Sequence, residues 1–71
     1  MNRIKDLRED SDMTQSELAS KLHVRQNTIS QYEREERDIP TQILIELSKI
    51  FDTTTDYILG ISKNRKKGYT N

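Results

Sequence analysis

Residues 14–33 read Thr14-Gln15-Ser16-Glu17-Leu18-Ala19-Ser20-Lys21-Leu22-His23-Val24-Arg25-Gln26-Asn27-Thr28-Ile29-Ser30-Gln31-Tyr32-Glu33. The first four fit a capping box, in which a Thr hydroxyl accepts from the third helical N–H and a Glu carboxylate reaches back to the N–H of the cap. A helix therefore starts after Thr14, and its apolar face is Leu18, Ala19 and Leu22. His23 and Val24 interrupt that face. A second helical pattern then carries Ile29 and Tyr32, and about three residues separate the two helices.

A turn that short is what a helix-turn-helix unit requires. Outward from it, apolar residues keep recurring at intervals of three and four, and no segment alternates at two, so the chain reads as all-α. Ile4 and Leu7 predict a short first helix over Asn2–Glu9, ended by Asp10, Ser11 and Asp12. The only proline, Pro40, introduces a fourth helix with Ile43, Leu44, Leu47, Ile50 and Phe51, because proline at a helix start loses no hydrogen bond. A fifth begins near Thr54, carries Tyr57, Ile58 and Leu59, and stops at Gly60, where a left-handed residue is common. His23 suits a left-handed position as well, being among the more tolerated non-glycine residues there.

A length of 71 residues bounds the chain to one small domain. With no cysteine, neither a disulfide nor a thiolate metal site supplements the core, so helix packing must supply the stability. No apolar run approaches the length of a membrane span, and the first residues lack the apolar stretch of a secretory signal, so a cytoplasmic protein is expected. Lys and Arg number 12 and Asp and Glu also 12, a formal net charge of zero. That total hides a split: residues 1–61 carry eight cations and twelve anions, a net of −4, while Lys63, Arg65, Lys66 and Lys67 give residues 62–71 a net of +4. The chain divides accordingly into a helical domain, 1–61, and a basic C-terminal tail, 62–71, expected to be flexible. The tail has two readings, an arm contacting nucleic acid or a solubility segment.

On a helical wheel Ile29, Tyr32 and Glu33 of the third helix share one sector, with Asn27, Gln31 and Arg34 opposite. The run Gln26–Gln31 contains no charge. A face of this kind is compatible with simple solvation, yet a merely solvated face usually takes Glu and Lys, which are better helix formers than Asn, Thr and Ser. Amides place a donor beside an acceptor, matching N6 and N7 of adenine in the major groove. Arg8 and Glu33 each lie four residues after a core position, Ile4 and Ile29, and charges on a core stripe need partners. They are expected to pair with each other, the alternative being that each reaches water at the edge of its stripe. No catalytic, cofactor or metal site is expected: the single His23 has no companion ligand, and with Gly60 and Gly68 as the only glycines no nucleotide-binding loop can be written.

On these residues the chain resembles lambda repressor-like, Cro/C1-type (xenobiotic-response-element-type) helix-turn-helix domains, from about Ile4 to Gly60. The matching features are Thr14-Gln15 opening the second helix, Leu18-Ala19, Ile29 and Tyr32, Glu33 closing the third helix, Pro40 followed by Leu44, Leu47 and Phe51, and the ending Thr54–Gly60. The resemblance implies a compact five-helix domain of a bacterial or phage transcriptional regulator, a repressor, binding a near-palindromic DNA operator as a homodimer, cytoplasmic and at the nucleoid when bound. It implies a recognition helix over 25–34 with Gln26, Asn27 and Gln31 reading bases. It assigns Gln15, Arg25, Thr28, Ser30, Arg34, Arg37 and Thr41 to the DNA backbone, the segment Arg37–Thr41 through its N–H groups, and it makes Arg8 and Glu33 a buried ion pair.

Three departures stand out. His23 and Glu35 occupy places where the family commonly has glycine, and Glu35 adds negative charge near the expected DNA path. Arg25 replaces the Ser or Thr that commonly caps the recognition helix. An alternative function is a protein-interaction module, such as an antitoxin, which the negative main domain accommodates. Exposed apolar groups near the fifth helix, Tyr57 or Ile61, are the expected dimer surface.

Overall fold

Thr14 closes the capping box that the sequence predicts: its Oγ1 accepts from the Glu17 N–H at 3.0 Å and its own N–H donates to Glu17 Oε1 at 2.8 Å. In the computed structural model, which describes residues 1–63, this box starts the second of five helices. They are α1 (Ile4–Asp10), α2 (Gln15–Leu22), α3 (Gln26–Glu33), α4 (Thr41–Ile50) and α5 (Thr55–Leu59), with no strand among the described residues. The tail beyond Lys63 lies outside the described residues.

The core takes at least one buried side chain from every helix: Ile4 and Leu7, Leu18, Ala19 and Leu22, Ile29 and Tyr32, Leu47 with Phe51 just after it, and Ile58. Ile43, Leu44 and Ile50 pack only partly against it.

All five helices stop in the same way. Asp12, His23, Glu35, Asp52 and Gly60 have φ of 54°, 58°, 59°, 49° and 83°. In each case the left-handed residue and the one after it turn their N–H groups back onto the last helical carbonyls, as in Val24 N to Ala19 O at 3.0 Å and Glu36 N to Gln31 O at 2.9 Å. Only one of the five stops is a glycine. At Gly60 a Cβ would collide with the carbonyl oxygen of Met1, a constraint separate from backbone conformation.

That approach arises because the first residues strap the bundle together. Sequence periodicity places Asn2 in the first helix, whereas the helix begins at Ile4 and Asn2 is spent on tertiary bonds. Its side chain accepts from the Ile4 N–H at 3.2 Å and donates to the Tyr32 carbonyl at 2.8 Å, joining the start of α1 to α3. Arg3 N donates to the Ile58 carbonyl at 2.7 Å, and its guanidinium donates to the carbonyls of Tyr57 (2.6 Å) and Ser62 (2.9 Å) while lying 4.2 Å from the Tyr57 ring centroid. Tyr57 is therefore half-buried under Arg3 rather than a free apolar surface, while Ile61 is 74% exposed.

These helix ends give measurable consequences. Asp52→Gly is expected to stabilise the domain by up to about 1 kcal/mol and Gly60→Ala to destabilise it by about 1–2 kcal/mol, read as opposite shifts of the urea midpoint. The Thr14 backbone N–H and hydroxyl hold the Glu17 carboxyl below the usual carboxylate range. Its contribution to stability is therefore fully present above the ordinary glutamate pKa of about 4.3 and is lost as pH falls through the depressed value. Thr14→Ala is expected to cost about 1 kcal/mol at neutral pH and, because alanine keeps the backbone N–H that lowers the Glu17 pKa most, to leave most of that acid limb in urea titrations across pH.

Candidate nucleic-acid interface

Helix α3 lays Ile29 and Tyr32 into the core and turns the other side outward. Gln26, Asn27 and Arg34 are exposed there, and Thr28, Ser30 and Gln31 are half-buried. The first residue of α2 comes alongside, so that Gln15, Gln26, Asn27 and Ser30 line one shallow depression. Three amides and a hydroxyl therefore converge from two helices without a charge among them. Sequence spacing alone does not bring Gln15 to this face; the turn at His23, with ψ of 40°, does so by setting α3 against α2.

Gln15 is held from beneath. The Arg8 guanidinium grips the Glu33 carboxylate with two bonds, Nε to Oε2 at 2.7 Å and Nη2 to Oε1 at 3.3 Å. Its Nη1 donates to the Met13 carbonyl at 2.9 Å. Glu33 Oε1 also accepts from Gln15 Nε2 at 3.0 Å. The side chains of Arg8 and Glu33 are 11% and 4% exposed, so the pair is shielded from solvent. The hydrogen bond to Glu33 pushes the Arg8 pKa up, outweighing the opposing effect of burial. Because a carboxylate only accepts, Gln15 must turn its –NH₂ toward Glu33, which leaves one amide hydrogen for another acceptor.

Three helices start without a bond from the cap residue's side chain: α1, where Asn2 takes the Ile4 N–H instead, and α3 and α4. Arg25 precedes α3 in an extended conformation and Pro40 precedes α4 likewise, and neither side chain accepts a bond from the first turn. In α2 and α5, by contrast, Thr14 and Thr54 cap. Helix α3 thus spans 26–33, within the stretch of about 25–34 that the resemblance implies, with Arg25 and Arg34 as its cap residues. Its start is tightened by donation from both Thr28 N (3.0 Å) and Ile29 N (3.3 Å) to the Arg25 carbonyl. Arg25 itself is exposed, as is Thr41 in the first turn of α4. Uncapped N–H groups at a helix start suit an anion.

The cations are distributed differently from what their sequence positions suggest. Arg3, one of the eight cations outside the tail, is committed to Tyr57 and Ser62. Arg34 lies 3.0 Å from Glu36 in an exposed pair, an arrangement that contributes little. Arg37 Nη1 donates to Gln31 Oε1 at 3.2 Å. The negative charge of Glu35 is partly answered, since its Oε2 accepts from the Asn2 N–H at 2.9 Å and lies 3.7 Å from the terminal ammonium. No local pattern announces the contacts of Asn2, Arg3 and Arg37, because their partners are 30, 54 and 6 residues away.

Against known families, residues 4–58 match the helix-turn-helix family, and the chain belongs to it. Among curated proteins, it is 41% identical over 68 residues to the HTH-type transcriptional regulator ImmR of Bacillus subtilis, covering 96% of this chain and 54% of that protein. It is 32% identical over 60 residues to the uncharacterized HTH-type transcriptional regulator YobD of the same organism, covering 84% of this chain and 54% of the relative. A third relative, the uncharacterized HTH-type transcriptional regulator YbaQ of Escherichia coli, is 38% identical over 50 residues, 70% of this chain and 44% of its own length. The chain spans about half the length of the curated relatives it matches. Among the described residues no helix is long and apolar enough to cross a membrane.

Arg8→Met leaves the Glu33 carboxylate buried without its cation and is expected to cost about 3–5 kcal/mol in urea unfolding. The double change Arg8→Met with Glu33→Leu is expected to recover most of that loss, since it removes both charges and keeps the volume filled. Equal loss in the single and double variants would show that packing, not charge compensation, sets the cost.

Proposed function

We propose that this chain is the sequence-specific DNA-binding domain of a transcriptional regulator, acting as a repressor on a near-palindromic operator in the cytoplasm, at the nucleoid. The observation that carries this reading is the convergence of Gln15, Gln26, Asn27 and Ser30 on one uncharged face beside an uncapped helix start. Gln26, Asn27 and Gln31 read base edges in the major groove, where an amide offers both a donor and an acceptor. Gln15, through its remaining amide hydrogen, binds a backbone phosphate, with Arg25, Thr28, Ser30, Arg34, Arg37 and Thr41 along the same path. Residues 1–61 form the binding domain. Two copies dock with their α3 helices about 34 Å apart, one turn of DNA, which a homodimer supplies. The relatives' names as HTH-type transcriptional regulators support the class of function.

An uncharged reading face on a domain of net charge −4 places the discrimination in hydrogen bonds rather than in general attraction to phosphate. Selection of bound sequences from random duplex DNA at low salt is expected to enrich a half-site. Gln26→Ala is expected to relax preference at one or two base pairs at a cost of about 1–3 kcal/mol, whereas Gln15→Ala weakens all sequences alike. Absence of any enriched half-site would remove the DNA reading and favour the protein-interaction alternative.

A further inference from the structure

Among the amides on this face, Gln31 is the one whose orientation a cation dictates. It projects from α3 on the side away from Ile29 and Tyr32, and its Oε1 accepts from Arg37 Nη1 at 3.2 Å. A guanidinium has five N–H donors and no acceptor, so it fixes which end of the amide it meets. The oxygen of Gln31 is therefore turned to Arg37, and the –NH₂ is the end left for a base. The remaining N–H groups of Arg37, beside that oxygen, also only donate.

We propose that Arg37 acts as a positioning residue that turns the amino end of Gln31 toward the groove, so that Gln31 reads bases chiefly as a donor. This inference rests on the DNA-binding reading above and narrows it. With its oxygen turned to Arg37, Gln31 presents donors to the groove. They fit a base edge that offers acceptors, O6 and N7 of guanine or O4 of thymine, which share that chemistry. They fit the paired donor and acceptor of adenine less well, since the oxygen that would take the adenine N6 amino hydrogen is turned toward a cation, which occupies one of its two lone pairs. The N4 amino group of cytosine is disfavoured for the same reason. The general match of amides to adenine is thus weakened at this position, while Gln26 and Asn27, which no cation holds among the described residues, keep both ends available.

The test is selection from random duplexes with the full chain, followed by competition binding of duplexes that vary at one position. The step read by Gln31 is the one at which Gln31→Ala relaxes preference. There the unaltered protein is expected to prefer guanine or thymine. Arg37→Met frees the amide and is expected to raise adenine relative to those bases roughly tenfold. Arg37→Glu, whose carboxylate only accepts, is expected to turn the amide around and move preference further toward bases bearing an amino group. Ratios between bases cancel any uniform loss of affinity from the changed charge. Unchanged ratios in both variants, or a preference for adenine in the unaltered protein, would overturn the role of Arg37 while leaving DNA recognition intact. If the unaltered protein enriches no sequence, both this inference and the reading it rests on fall.

Discussion

The bidentate ion pair between Arg8 and Glu33 is the constraint through which the helices that carry the candidate interface are held in register. It joins α1 to the last residue of α3, and the same two side chains reach the Met13 carbonyl just before α2 and the Gln15 amide at its start. Burial makes the arrangement demanding. A shielded charge lacking its partner destabilises far more than a matched pair stabilises, so the network acts mainly by penalising other arrangements of the three helices. One consequence is functional: the Glu33 carboxylate, itself out of solvent, fixes which way the Gln15 amide points at the surface.

A similar economy appears at the helix ends. Four of the five left-handed stops are filled by Asp, His or Glu, residues that tolerate this conformation at some cost. Glycine is reserved for position 60, where the Met1 carbonyl comes too close for any side chain. The start of the chain supplies that carbonyl, along with Asn2 and Arg3, which tie α1 to the end of α3 and to α5. The short helices are thus fastened at their ends by backbone-directed bonds while a small apolar core fills the space between them.

Charge distribution follows the same division of labour. The domain is mildly acidic, and two of its cations are committed within it: Arg8 to Glu33, and Arg3 to Tyr57 and Ser62. What remains on the outer face of α3 is hydrogen-bonding capacity, with the polarity of two amides set by fixed neighbours, Glu33 for Gln15 and Arg37 for Gln31. A zero net charge therefore carries little information about the partner. Hydrogen-bond polarity on one helix face carries more.

The all-helical class, the capping box at Thr14, the left-handed His23, and the fourth and fifth helices follow from local signals that the sequence displays. Periodicity and capping act within about four residues, so they survive without tertiary context. The placement of Arg8 and Glu33 on core stripes was also legible, because an ionisable residue on an apolar stripe demands a partner. Tertiary structure alone decided that Asn2 leaves the first helix to bond Tyr32 and that Arg3 covers Tyr57. It also decided which end of the Gln15 and Gln31 amides is bound within the domain. An amide's orientation is set by whichever donor or acceptor lies beside it, and here those neighbours are a carboxylate 18 residues away in sequence and a guanidinium beyond a left-handed turn. Local sequence specifies that an amide is present; only packing specifies which of its two faces it shows.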